Sequence, residues 1–85
     1  MPEKVTYYAI VDAGYPVERP AGMVRRTVHD GGVRDESFQK DLQWHRTAAL
    51  VEWKRGDYPS ELVEIAEDQV AGIIEQFRER WSELR

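Results

Sequence analysis

The 85-residue chain predicts an α+β fold: a small, mainly antiparallel sheet of three to four strands, a long C-terminal helix packed on one face, and a short helix before it. Three observations predict it. Val5 to Val11 is a run of β-branched and aromatic residues. Asp30-Gly31-Gly32 marks a reverse turn between two strand-like stretches. Val70, Ile73, Ile74, Phe77, Trp81 and Leu84 recur at helical spacing, with charged and amide side chains off that stripe. Residues 1–85 read as a single domain, a length that suits one core and not two.

In the first strand Val5, Tyr7, Ala9 and Val11 share one face and Thr6, Tyr8 and Ile10 the other. Both are largely apolar, as expected of a strand covered on two sides. Asp12 to Pro16 breaks it, and the loop runs on through Pro20 to Gly22. Met23 to His29 and Val33 to Phe38 predict the second and third strands, paired as a hairpin. That pairing brings Asp35 and Glu36 across from Arg25 and Arg26, where opposite charges contribute roughly 0.2–1 kcal/mol each.

Thr47 to Arg55 predicts the short helix, packed at one end of the sheet. Thr47 suits its N-cap, Leu50 and Trp53 lie one turn apart, and Gly56 suits the left-handed residue that closes it. Leu62 to Ile65 predicts a short strand, followed by a helix from about residue 67 to 84. The competing reading starts a single helix after Ser60, which turns Ile65 away from the apolar stripe. The expected core is Tyr7, Ala9, Val11, Val24, Val28, Leu50, Trp53, Leu62, Ile65, Val70, Ile73, Ile74, Phe77 and Trp81.

Composition excludes several classes of function. A hydrophobic content of 41% is too rich for a disordered chain. No apolar run approaches the roughly 20 residues of a membrane span, and Met-Pro-Glu-Lys lacks the apolar stretch of a secretory signal. A soluble, cytoplasmic protein is expected. Zero cysteines remove disulfides, thiolate metal sites and cysteine nucleophiles. A small core without such staples favours oligomerisation.

The net charge of −4 is unevenly placed. Residues 1–46 balance seven bases against seven acids, whereas residues 47–85 hold five against nine. Arg19 to His29 contains no acid, and Asp57 to Asp68 contains no base. These strips predict either two solvated faces or a complementary pair, within one chain or between two.

Tests for chemistry return little. His29 and His45 lack the spacing of a helical metal pair; a site would need a carboxylate from Asp30, Glu36 or Asp41, which nothing in the spacing demands. Ser37 and Ser60 sit in no Gly-x-Ser-x-Gly elbow, and the glycines form no phosphate cradle. Neither a metal nor another cofactor is expected, and catalysis is disfavoured.

Taken together, Tyr7-Tyr8-Ala9, Pro20-x-Gly22-x-x-Arg25-Arg26, Asp35-Glu36-x-Phe38, Leu42-x-Trp44-x-x-Thr47 and Gly56-Asp57 followed by Glu61-Leu62-Val63-Glu64-Ile65 resemble a family of small actinobacterial domains of unknown function. The resemblance spans nearly the whole chain through short motifs, and brings no activity, ligand or catalytic residue with it. In that family Ser or Thr usually caps the last helix, where this chain has Ala66.

Two functions are therefore weighed. The favoured one is a non-catalytic protein–protein interaction module with an adaptor or regulatory role, in its simplest form a homodimer. The doubly apolar first strand, the small cysteine-free core and Gly72 within the long helix point that way, since a helix-interior glycine costs up to about 1 kcal/mol unless a backbone approaches it closely. The alternative is a nucleic-acid-binding module using Arg25, Arg26, Arg34 and Arg46 with Trp44, although an acidic chain repels phosphate backbones. Candidate interaction residues are Arg25, Arg26, Arg34, Trp44, His45, Arg46 and Gly72.

Overall fold

The computed structural model describes residues 3–12 and 14–82. Its elements are β1 (Lys4–Val11), β2 (Gly22–His29), β3 (Gly32–Phe38), β4 (Trp44–Arg46), α1 (Ala49–Lys54), β5 (Glu61–Ile65) and α2 (Glu67–Ser82). The strands form one sheet in the order β4-β3-β2-β1-β5, and every neighbouring pair is antiparallel.

The sheet has five strands rather than three or four. The addition is β4, three residues that pair Trp44 with Phe38 and Arg46 with Glu36. A tight turn makes this possible: Gln39 N–H donates to Gln43 O and Leu42 N–H to Gln39 O, with Leu42 at φ 63°. Leucine at positive φ carries a steric cost and is no turn signal, so nothing in the sequence announces the hairpin.

Antiparallel register and period-two side chains assign each residue to a face. On one face, successive rows across the sheet run Val63–Ala9–Met23–Phe38–Trp44, then Ile65–Tyr7–Arg25–Glu36–Arg46. Helix α2 lies over this face, burying Val70, Ile73 and Phe77 against Ala9, Met23, Phe38 and Ile65. Trp81 stacks on Phe77 at 4.6 Å and on Phe38 at 6.0 Å between ring centres.

The opposite face carries Ile10, Leu62, Tyr8 and Val24, and here α1 corrects the expectation that it packs at one end. Ala49 and Leu50 are buried on Val24 and Leu62, with Tyr8, Ile10, Trp53 and Tyr58 around them. The apolar second face of β1 requires such a cover. The helix is also shorter than Thr47 to Arg55: its N-cap is Ala48, while Thr47 Oγ1 accepts the Ala49 N–H at 3.1 Å. Gly56, at φ 82°, follows its last turn as expected.

Val28 is a second correction. It faces Val33 at the hairpin end of the α1 side, beyond the reach of α1, and is 44% exposed. Met23, Phe38 and Ala49 are buried without having been expected there.

The stretch at 61–65 is a strand, and α2 starts directly after Ala66. Ala66 has no side-chain oxygen, but Gln69 reaches back: its Oε1 accepts the Ala66 N–H at 2.9 Å, while Gln69 N–H donates to Ala66 O. This is the returning half of a capping box. Leu84 lies outside the described residues. Among the described residues no helix is long and apolar enough to cross a membrane.

Candidate interaction surface

The row that follows the core row on the α2 face is charged. Arg25, Glu36 and Arg46 stand side by side on β2, β3 and β4, because Arg25 pairs with Glu36 and Glu36 with Arg46 in the ladder. Arg34, two residues before Glu36, flanks the row on the same face. Arg25 Nε donates to Glu36 Oε1 at 2.9 Å, and Arg34 Nε lies 3.5 Å from the same oxygen. One carboxylate thus serves two guanidinium groups, Arg25 and Arg34, with Arg46 next to it in the ladder. The buried Nε of Arg34 has no hydrogen-bond acceptor among the described residues.

Aromatic rings border these charges. The Arg25 guanidinium carbon sits 4.2 Å from the centre of the Trp44 ring. Trp44 in turn meets Phe38 edge-on at 5.1 Å and Tyr7 at 6.1 Å. Trp44 and Tyr7 are half-buried, Arg46 is exposed, and the Arg34 side chain is 41% exposed. Together they form a firm platform of Arg, Trp and Tyr, the residue types that dominate binding hot spots.

The other residues singled out from the sequence are not on this platform. Arg26 belongs to the opposite face, where its Nε and Nη2 donate to the two Asp35 oxygens at 2.8 and 2.9 Å. The Asp35 hydrogen bonds push its pKa above the usual arginine value. His45 is also on that face, its Nε2 2.7 Å from Asp41 Oδ2. That hydrogen bond holds the Asp41 carboxyl below its ordinary pKa. The sequence strip Arg25-Arg26 is therefore divided between two faces, as alternate residues of a strand must be.

Gly72 is exposed on α2, and a Cβ placed there would meet nothing within 4 Å, so it does not pack on its own sheet. His29 lies at the hairpin tip on the α2 side, where its Nδ1 accepts the Gly31 N–H at 3.1 Å, so the two histidines do not converge. Among the described residues no three His, Asp or Glu side chains gather as a metal ion would require. The acidic strip Glu61, Glu64, Glu67 and Asp68 lies on β5 and the start of α2, at the sheet edge away from β4. Sequence reading missed Tyr7 as a border of the platform and Glu36 as its shared centre. The signal was the hairpin register, which fixes both partners of Glu36 only once β4 is known. Compared with known proteins, the chain matches no family model, no curated protein and no solved structure.

Proposed function

We propose that this is a cytoplasmic, non-catalytic protein-interaction domain that receives an acidic segment of a protein partner on the Arg25–Arg34–Trp44–Arg46 platform. The observation that carries the reading is the imbalance around Glu36: the Arg25 and Arg34 guanidinium groups share its single carboxylate, Arg46 stands next to it in the ladder, and Arg25 lies over a half-buried tryptophan. Arginine forks suit carboxylate geometry, and aromatic anchors supply desolvated area without much rotamer entropy. A second copy of the chain supplies such a segment in its own strip from Glu61 to Asp68, which makes a homodimer the simplest form.

The nucleic-acid alternative has less behind it. The chain is acidic overall, Arg26 is turned to the other face, and Arg25 already lies over the Trp44 ring that a base would stack on. The decisive experiment measures mass by light scattering from low to high micromolar protein, alongside affinity capture from the native host. Salt-sensitive self-association or capture of an acidic partner, lost in Arg34→Glu/Arg46→Glu, is the expected result. A monomer with no such capture, or retardation of nucleic-acid probes at low salt, overturns it.

A further inference from the structure

A second cationic site lies at the far end of α2, separate from the platform. Four described arginines are half-buried: Arg25, Arg26, Arg34 and Arg80. The first three each have a carboxylate within ion-pair distance. Arg80 has none among the described residues, although acids outnumber bases sixteen to twelve in the chain. A covered charge ordinarily keeps a counter-charge, because desolvation is otherwise uncompensated.

Nor is Arg80 a loose side chain. Its Nη1 donates to Pro20 O at 2.9 Å, and its guanidinium carbon lies 5.6 Å from the Tyr15 ring centre and 5.4 Å from that of Phe77. One of five N–H donors is thereby used, and the group is held in place. It lines an open depression of about 600 Å³ with Gly14, Tyr15, Pro16 and Arg19. Arg19, likewise without a carboxylate partner among the described residues, brings a second guanidinium from the β1–β2 loop. In the adjoining recess the two arginines meet Gln76 and Glu79. Gln76 Nε2 is committed to Glu18 O, and its buried Oε1 has no donor among the described residues. Glu79 makes no ion pair with either arginine.

We infer that this depression is a binding site for a compact oxyanion, a phosphate or carboxylate group whose oxygens take the remaining N–H groups of Arg80 and Arg19. The Arg80 fork, fixed before the ligand arrives, suits such a group, with Arg19 adding a second positive charge beside it.

The test titrates isotope-labelled protein with inorganic phosphate, and separately with malonate, against sodium chloride of equal ionic strength. Saturable amide shifts confined to Gly14–Arg19 and the last turns of α2 are expected, together with shifts of the Arg80 Nε–H. Which anion saturates first separates a phosphate ligand from a carboxylate one. Arg80→Gln should weaken the response on the order of tenfold, the scale of one lost charge-assisted fork. Arg19→Gln, which leaves the Pro20 contact intact, should weaken it severalfold, and Arg55→Gln, outside both sites, should leave it unchanged. Shifts that grow linearly and match chloride, or that survive both Arg80→Gln and Arg19→Gln, overturn the site.

Discussion

Arg25 is held between Trp44 and Glu36: its guanidinium carbon is 4.2 Å from the indole centre while its Nε donates to the carboxylate at 2.9 Å. The side chain therefore bridges β2, β3 and β4. It is 25% exposed and Glu36 is 15% exposed, so solvent screens the pair only in part. Arg25→Ala is expected to lower the unfolding free energy by about 1–2 kcal/mol. In a double-mutant cycle with Trp44→Leu, Arg25→Met should reveal a coupling of about 0.5–1 kcal/mol, because methionine keeps the packed stem and removes the charge. Urea denaturation of the four proteins measures it. Additive effects would mean that the cation and the ring do not interact.

Gly72 supplies a sharper test of self-association. Its open surroundings leave the helix-interior glycine without internal compensation. In an isolated monomer, Gly72→Ala is expected to raise stability by about 0.5–1 kcal/mol through chain entropy alone. If a second copy sits against this position, the same change should instead reduce the association seen by light scattering. Denaturation at two protein concentrations separates the outcomes.

The start of α2 depends on one side chain. Gln69 closes the Ala66 amide and its own N–H reaches Ala66 O, but Ala66 has no side-chain oxygen to offer the amides of the first turn. Ala66→Ser is expected to add about 0.5–1 kcal/mol by completing the capping box, and Gln69→Ala to cost a similar amount. Thermal melts followed by circular dichroism check both. An Ala66→Ser protein no more stable than the parent would show that the first turn is already satisfied.

The core tests how far sequence alone reaches. Alternation in Val5–Val11 and the α2 stripe were legible because each is long and periodic, and both apolar faces of β1 are covered. Val28 was not, because β2 carries apolar residues on both faces and only the location of α1 decides which are covered. Phe38 was missed because its cover comes from Trp44, Phe77 and Trp81, contacts that depend on β4 and on where α2 lands. The platform was half-legible for the same reason: the Arg25–Glu36 pairing follows from the hairpin, but the approach of Trp44 and Arg46 follows from a turn through left-handed Leu42. Val28→Thr is accordingly expected to change stability by less than about 0.5 kcal/mol and Phe38→Ala to cost about 3–5 kcal/mol, read from urea midpoints.

Tyr58 ties stability to pH at the alkaline end. It packs against the Val24, Ala49, Leu50 and Leu62 cluster, and burial, with the negative charges of Glu52 and Asp12 adding to it, raises its pKa above the ordinary tyrosine value. The folded state therefore holds the phenolic proton more tightly than the unfolded chain does. By linkage, this contribution is fully present below the unfolded value near 10 and is lost as pH rises through the higher folded value. The parent should thus lose stability faster than Tyr58→Phe across the range above about pH 10. Urea midpoints at matched ionic strength give the difference directly. A constant offset between the two proteins across that window would show that Tyr58 ionises equally well folded and unfolded.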